Sequence, residues 1–322
     1  ILRYRYLSRE FYGEASVRNY DLVSTAQTGG PTHGLVSPKW YQTEIERAVL
    51  KPLLVRDDRP AIRDIFIYYG LMISFGICAV ILTPSLWSVP FWLAYGVFYA
   101  SGSDARWHEC GHGTAFTNSG LNTGVYYLAS FLLWREPTVW KWSHYRHHSD
   151  TIIVGRDPEI AFPRPTGFKE FPLLFSHLIN GLKLFQRICI HASGRIDMQV
   201  KDYVPETEHR KVVWEARVFT ILLAISAATA IWTWHPLPIL LVGLPTIYGA
   251  WLFIFFGVTQ HAGLQEDVLD HRLNTRTVYM NPIFRFLYSN MNYHLEHHLF
   301  PDVPYYSLPA LHAELRPYLP EP

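Results

Sequence analysis

Two long stretches of the chain are apolar and almost free of charge. The first runs from Asp64 to Ala105 and has Asp64 and Asp104 as its only charged residues, and the second runs from Val218 to Thr259. A bilayer core of about 30 Å requires about 20 apolar residues per helix, so each stretch is long enough for two membrane spans. Neither stretch has a polar helical face, which argues against helices buried in a soluble protein.

Proline-containing segments divide each stretch near its middle. Thr83-Pro84-Ser85 and Ser88-Val89-Pro90 interrupt the first stretch, and Trp234-His235-Pro236-Leu237-Pro238 interrupts the second. Each stretch is therefore predicted to form a hairpin of two helices joined by a short turn. The predicted membrane spans are residues 65–84, 88–106, 217–235 and 238–259.

The distribution of basic residues predicts which side of the membrane the rest of the chain occupies. All 28 Lys and Arg residues lie outside the two turns, on the side shared by the termini and the middle segment. By the positive-inside rule that side is cytoplasmic. A composition of 49% hydrophobic and 17% charged residues agrees with an all-α, multi-pass integral membrane protein. The absence of a basic stripe argues against nucleic-acid binding.

Four segments outside the spans have interpretable patterns. Trp40 to Val55 has the periodicity of an amphipathic helix leading to the membrane. Leu121 to Trp134 is apolar but too short to span, so a re-entrant or interfacial position is predicted. Phe171 to Ile190 mixes leucines with Lys and Arg, as an interfacial amphipathic helix does. Residues 193–217 are charged and are expected to cover the candidate metal site, described below, on the cytoplasmic side.

These patterns give three predicted units along the chain. Residues 1–62 are mixed polar, without the charged and apolar regions of a signal peptide, and are expected to be a cytoplasmic N-terminal segment. Residues 63–315 form the predicted membrane domain, and residues 316–322 form a C-terminal tail.

Three histidine clusters, His-Glu-Cys-Gly-His, His-Tyr-Arg-His-His and His-Leu-Glu-His-His, carry the candidate chemistry. Residues three and four apart share one face of a helix, so each cluster presents imidazoles together. Eight such rings exceed the four ligands of a tetrahedral zinc and predict two metal ions. Nitrogen-rich sites suit iron as well as zinc. The eight residues are His108, His112, His144, His147, His148, His294, His297 and His298.

The cysteines do not add to this metal site. Cys78, Cys110 and Cys189 are an odd number without Cys-x-x-Cys spacing, so neither a disulfide framework nor a thiolate site is predicted. Cys110 lies inside the first histidine cluster and is expected to fill space beside the ligands.

The order of the clusters, after the first hairpin, before the second and after it, resembles the membrane-bound fatty acid desaturase and hydroxylase superfamily. The segments Asn292–Pro301 and Leu308-Pro309-Ala310-Leu311 also resemble the third histidine box of that family and its sequel. The resemblance implies four transmembrane helices under a cytoplasmic helical cap that holds two non-haem iron ions. It implies an oxidoreductase that uses O2 and two electrons to attack an unactivated C–H bond of a fatty acyl or other lipid-like substrate.

The resemblance also implies the iron ligands. The eight clustered histidines match the family's boxes, and His261, just past the fourth predicted span, holds the place of a further ligand; its alternative role is an interfacial polar cap. His271 is an additional candidate as a ligand or as a partner of one. The imidazoles need hydrogen-bond acceptors that fix their orientation. The candidate acceptors are Glu109, Asp150, Asp157, Glu159, Glu266, Asp267 and Glu296.

The remaining histidines are expected to play no part at the metals. His33, His209 and His312 lie in polar surroundings, His177 and His191 lie on the amphipathic segment, and His235 lies in the far turn.

Two departures from the family's patterns bear on function. The third box opens with His rather than the Gln of front-end desaturases, and the His-Pro-Gly-Gly signature of a fused cytochrome b5 domain is absent. A separate electron donor protein of ferredoxin, rubredoxin or cytochrome b5 type is therefore expected.

Three alternatives to desaturation remain at this stage. The His-Glu-Cys-Gly-His box favours desaturation, but related hydroxylases share it, so a hydroxylase of a hydrophobic substrate is the first alternative. A metal transporter is the second, although its ligands would belong inside the spans. A zinc hydrolase is disfavoured by the lack of a His-Glu-x-x-His match.

Overall fold

The computed structural model describes residue 22, residues 40–160 and residues 171–322. His33, most of the predicted N-terminal segment and residues 161–170 lie outside the described residues. Within the described ranges the regular structure is helical, apart from a single bridge between Thr277 and Tyr293. The prediction of an all-α protein is confirmed.

Seventeen α-helices occur in the part of the chain that the structure describes. They are α1 (Arg47–Leu53), α2 (Asp58–Leu82), α3 (Val89–Gly96), α4 (Gly102–His112), α5 (Ser119–Leu132), α6 (Pro137–Ser149), α7 (Phe171–Phe175), α8 (Leu178–Ala192), α9 (Met198–Lys201), α10 (His209–Thr233), α11 (Leu237–Leu241), α12 (Pro245–Tyr248), α13 (Trp251–His261), α14 (His271–Asn274), α15 (Pro282–Leu287), α16 (His294–Leu299) and α17 (Leu308–Leu315).

Two described helical segments are long and apolar enough to cross a membrane, judged by length and composition alone. They are α2 and the segment Glu206–Thr233, which adds one short turn to α10; only 17% of the most apolar 18-residue window of each is buried. Their apolar side chains therefore point away from the protein, as Phe66 and Ile81, 75% and 74% exposed, show for α2. A core helix of a soluble protein would bury that surface.

The second predicted span belongs to a helical run that continues into the first histidine cluster. A π-helical turn, Val97–Ser101, joins α3 to α4 without a break. Gly113 then ends α4 with a φ of +72°, a left-handed conformation that glycine adopts at little cost. His108 and His112 are thereby held at the end of a predicted span rather than on a loop.

The region of the fourth predicted span differs from the uninterrupted helix that its apolar pattern predicts. Three short helices, α11, α12 and α13, replace it. Gly243 has a φ of +99° and Pro245 cannot donate a backbone hydrogen bond, so a regular helix cannot pass through them. The break lets Gly249 approach α3 closely, and Ser101 Oγ bridges the backbones by donating to Gly249 O at 2.5 Å. It also accepts from Phe253 N at 2.9 Å.

Substitution of Gly249 by alanine is expected to destabilise this crossing. A Cβ atom there would lie 1.8 Å from the carbonyl oxygen of Gly96, so two backbones would have to separate. We expect Gly249→Ala to lower the free energy of unfolding by roughly 1–3 kcal/mol, measured as a lower Tm in detergent. Gly257 on α13 has no atom within 4 Å of its Cβ position, so Gly257→Ala is the matched control. Equal Tm shifts in the two variants would contradict the close-packing account.

Two buried glutamates fix the start of α6, the helix of the second histidine cluster. Glu215 on α10 accepts from Thr138 N and Thr138 Oγ1, both at 2.8 Å, and so caps α6 from a neighbouring helix. Glu136 accepts from His191 Nδ1 on α8 at 2.5 Å. The predicted amphipathic segment is therefore a packing partner of α6, although it forms two helices, α7 and α8, that separate at His177, whose φ is +54°.

Candidate metal centre

Nine histidines converge in two groups of ring nitrogens. Within each group, one ligand atom from every histidine lies within 4.8 Å of the others. The first group contains His108, His112, His144, His148 and His297. The second group contains His147, His261, His294 and His298. These are the nine histidines proposed from the sequence; His271 and the other histidines of the described ranges belong to neither group.

The two His-x-x-His-His clusters contribute to both groups in opposite ways. On α6, His144 and His148 are one turn apart and enter the first group, whereas His147 enters the second. On α16 the arrangement is reversed, because the one-turn pair, His294 and His298, enters the second group and His297 enters the first. Helix α4 then supplies two further rings to the first group, and α13 supplies one to the second.

The Nε2 atoms approach one another at the centre of each group. His144 Nε2 lies 2.9 Å from His112 Nε2 and 3.1 Å from His148 Nε2. In the second group, His294 Nε2 lies 3.2 Å from His261 Nε2 and 3.1 Å from His298 Nε2. Neighbouring imidazole nitrogens that face one another in this way would share a cation.

Carboxylates fix the orientation of two rings. His147 Nδ1 donates to Asp157 Oδ2 at 2.9 Å, and His144 Nδ1 donates to Glu159 Oε2 at 3.3 Å. Protonation of Nδ1 leaves the Nε2 lone pair of each ring available to a metal. Two of the seven candidate acceptors, Asp157 and Glu159, therefore contact clustered histidines as predicted.

Burial and charge set the protonation of these groups. Burial lowers the pKa of His294, His297 and His298 well below the usual value, and the neighbouring imidazoles lower it further, so these rings are neutral. Burial also lowers the pKa of His147, but Asp157 outweighs it and raises the pKa to about 9. Burial would raise the pKa of Glu159, yet His144 lowers it to about 2. The neutral rings of the third cluster suit metal binding, whereas His147, with a pKa of about 9, would have to release a proton to bind a metal.

Other candidate acceptors contact different partners. Glu109 accepts from Thr114 Oγ1 at 2.6 Å and Tyr305 N at 3.1 Å. Asp150 pairs with Arg146 at 2.6 Å and with Arg156 at 3.0 Å. Glu109 and Asp150 therefore stabilise the segments around the histidine clusters and do not contact the imidazole rings.

Sequence reasoning missed the role of His312. It was predicted to lie in polar surroundings, but α17 buries it beside the third cluster, where its Nδ1 donates to Glu296 Oε1. The other oxygen of Glu296 accepts from Thr277 Oγ1. His312 follows directly after Leu311, and the buried positions Leu308, Leu311 and Leu315 on α17 were the signal that this helix face is internal.

The donor set fits two metal ions. Both ring nitrogens of His108 are buried and have no hydrogen-bond partner in the described part of the chain, and the same holds for His297 Nδ1. Buried polar atoms without a protein partner are rare unless a bound ion or water satisfies them. Imidazole-rich donor sets suit iron, and the two groups, with five and four histidines, have enough donor atoms to bind one ion each.

Comparison with known proteins identifies the family. A family model described as fatty acid desaturase matches residues 34–322. The chain belongs to the fatty acid desaturase family. The resemblance inferred from the histidine clusters is therefore confirmed.

Relatives of known activity are distant. The chain is 24% identical over 302 residues to an omega-3 fatty acid desaturase, chloroplastic, of Glycine max, covering 84% of this chain and 63% of that protein. It is 24% identical over 271 residues to an acyl-lipid (9+3)-(E)-desaturase of Dimorphotheca sinuata, covering 74% and 70%. It is 23% identical over 253 residues to an sn-2 acyl-lipid omega-3 desaturase (ferredoxin), chloroplastic, of Helianthus annuus, covering 71% and 57%.

Proposed function

We propose that this protein is an O2-dependent, membrane-bound di-iron desaturase of a fatty acyl or other lipid-like chain. The observation that carries the proposal is the convergence of nine histidines into two groups in a member of this family. The names of the three relatives above support the same reaction, since each describes a desaturase. The electron donor is proposed to be a separate protein, and ferredoxin is the donor named for the Helianthus relative.

The chain's own residues would organise the reaction in three ways. Nine imidazoles would hold the iron ions, and bound iron would supply the redox chemistry that activates O2. Asp157 and Glu159 would keep His147 and His144 in the tautomer that presents Nε2. Burial of the third cluster, in which His297 is fully buried, would keep water away from reactive species. In net terms, two hydrogens from adjacent carbons, O2, two electrons and two protons give one double bond and two waters.

We also propose that the protein has four transmembrane segments in two hairpins, with the metal centre in a cytoplasmic cap. The exposed apolar side chains of α2 and α10 support this topology, as does the lack of Lys and Arg in both turns. Trp87 in the first turn, Trp232 in the last turn of α10 and Trp234 in the second turn are 77%, 83% and 94% exposed. Exposed indoles at hairpin ends are typical of the membrane–water interface.

This topology predicts which positions an external reagent can reach. With the exposed Cys189 replaced by serine, a cysteine introduced at Ser85 or at Leu237 should react with an impermeant thiol reagent applied to intact cells, and the same protein without the introduced cysteine gives the background from Cys78 and Cys110. A cysteine at Arg195, on the opposite side, should react only after the cells are opened. Labelling of all three positions in intact cells would exclude the two-hairpin arrangement.

Product analysis tests the proposed activity. Lipids from cells that make the protein, supplied with a ferredoxin and its reductase, should gain acyl chains that have lost two hydrogens, when compared by mass spectrometry with cells that make His112→Ala. Chains that gain one oxygen would instead establish the hydroxylase alternative. Unchanged lipids with an iron-loaded protein would argue against both activities.

His261 gives a separate test of the metal centre. Its Nδ1 donates to Asn274 O at 2.8 Å, so the Nε2 atom, 3.2 Å from His294 Nε2, carries the lone pair that would bind a metal. His261→Ala should lose most of one of the two irons, since removal of even an outer partner costs about 10–100-fold in metal affinity. His235→Ala, in the far turn, should keep its iron. Two irons and full turnover in His261→Ala would favour the interfacial-cap alternative.

A further inference from the structure

A stack of aromatic rings connects the protein surface to the second histidine group. Trp40 and His271 lie parallel, with ring centroids 4.2 Å apart and an interplanar angle of 3°. His271 is 5% exposed and its ring centroid lies 5.0 Å from that of His298. Trp40 is partly exposed, so the stack begins at solvent and ends at a proposed iron ligand.

Three contacts hold the Trp40 end of the stack in place. The indole nitrogen of Trp40 donates to Ser149 O at 3.0 Å, at the end of α6. The next residue, Tyr41, donates from its backbone N to Leu269 O at 2.9 Å. Its ring also lies under the guanidinium of Arg272, 3.4 Å from the ring centroid. These contacts give Trp40 one fixed orientation, as a defined contact between rings requires.

Another aromatic residue near the ligands does not reach the surface. The ring of Trp107 lies 5.6 Å from that of His144, but Trp107 is 4% exposed and is enclosed by Tyr126 and Trp140. Trp40, by contrast, is partly exposed to solvent and is linked to the second histidine group through the ring of His271.

The face beside Trp40 carries three arginines whose side chains are partly exposed. Arg146 and Arg156 share Asp150, which is 3% exposed, whereas their own side chains are 31% and 32% exposed. Arg272 is likewise more exposed, at 31%, than its partner Asp270, at 19%. The ion pairs thus turn guanidinium groups outward and carboxylates inward. A partner with an acidic surface would be attracted and oriented by this face.

We propose that Trp40 and His271 form the route by which electrons reach the metal centre from an acidic one-electron carrier protein docked on these arginines. The inference rests on the proposed function and adds the partner's surface and the entry point. The carrier, an iron–sulfur or haem protein, is oxidised by one electron in each of two encounters, and the two electrons are those that the desaturation consumes. The rings act as a bridge, and neither is left oxidised.

The electron route is tested by mixing reduced [2Fe–2S] ferredoxin with the iron-loaded protein and following ferredoxin oxidation without O2. Trp40→Leu keeps an apolar side chain but removes the ring, and should slow this oxidation by about tenfold or more at saturating ferredoxin. Trp40→Phe should restore most of the rate. Both variants should bind iron as the wild-type protein does. An unchanged rate in Trp40→Leu, or a rate that falls only in proportion to lost iron, would overturn the route.

The docking face is tested without iron, by titrating the iron-free protein with ferredoxin in detergent. Arg156→Gln combined with Arg272→Gln should raise the Kd by about tenfold at low salt and less at high salt. Arg210→Gln on α10, an exposed arginine away from Trp40, should leave the Kd unchanged. Equal affinities of the double variant and the wild type would overturn the docking face. Failure of the wild-type protein to bind iron would instead overturn the proposed function, and the route with it.

Discussion

Replacement of His147 or of His297 by alanine is expected to remove iron and turnover together. His297 is the ring that α16 gives to the first group, and His147 is the ring that α6 gives to the second. Each variant removes one ring from a buried group of histidines. Loss of an outer partner costs about 10–100-fold in metal affinity, so loss of a ligand should cost more than about 100-fold. Iron per chain, measured on the purified protein, should fall in step with turnover.

His235→Ala is the matched control for these variants, because it removes a histidine from the far turn. It should keep its iron and its activity. Full turnover of either cluster variant, or full turnover of the wild-type protein with zinc alone or without O2, would be incompatible with a di-iron mechanism.

Replacement of Glu296 by alanine is expected to destabilise the protein and to release iron. Glu296 lies between His294 and His297 in the sequence, and its side chain is fully buried. Its two carboxylate oxygens accept hydrogen bonds from Thr277 Oγ1 and His312 Nδ1. Removing one partner of such a buried pair costs roughly 3–5 kcal/mol. Helix α16 would lose its attachment to α17 and to Thr277, and it carries three of the nine converging histidines. The Tm in detergent should fall by roughly 5–10 °C.

Thr277→Val is the graded control for Glu296, since it removes one of the two hydrogen bonds and keeps the shape of the side chain. Its cost should be about 1 kcal/mol, well below that of Glu296→Ala. A Glu296→Ala protein with wild-type Tm and iron content would show that packing alone holds α16.

Local patterns were sufficient to predict the helices and the clusters. The apolar parts of α2 and α10, residues 65–82 and 218–233, are long and contain no proline, so length and composition identified them. The spacing of His144 and His148 places them on one helical face in any tertiary setting. The break near Gly243 was harder to predict, because a single proline and glycine inside an apolar run also occur in kinked membrane helices.

The sequence by itself determined that the protein is helical and that it carries imidazoles one helical turn apart. The family resemblance added His261 to the candidate ligands. Only the tertiary structure decided how the rings divide between the two groups. The pair one turn apart on α6, His144 and His148, enters the first group, whereas the corresponding pair on α16, His294 and His298, enters the second. Helical spacing states which residues share a face, but the packing of α4, α6, α13 and α16 decides which faces meet. The same reason explains why Asp157 contacts His147, whereas Glu296, adjacent to His297 in sequence, contacts His312 instead.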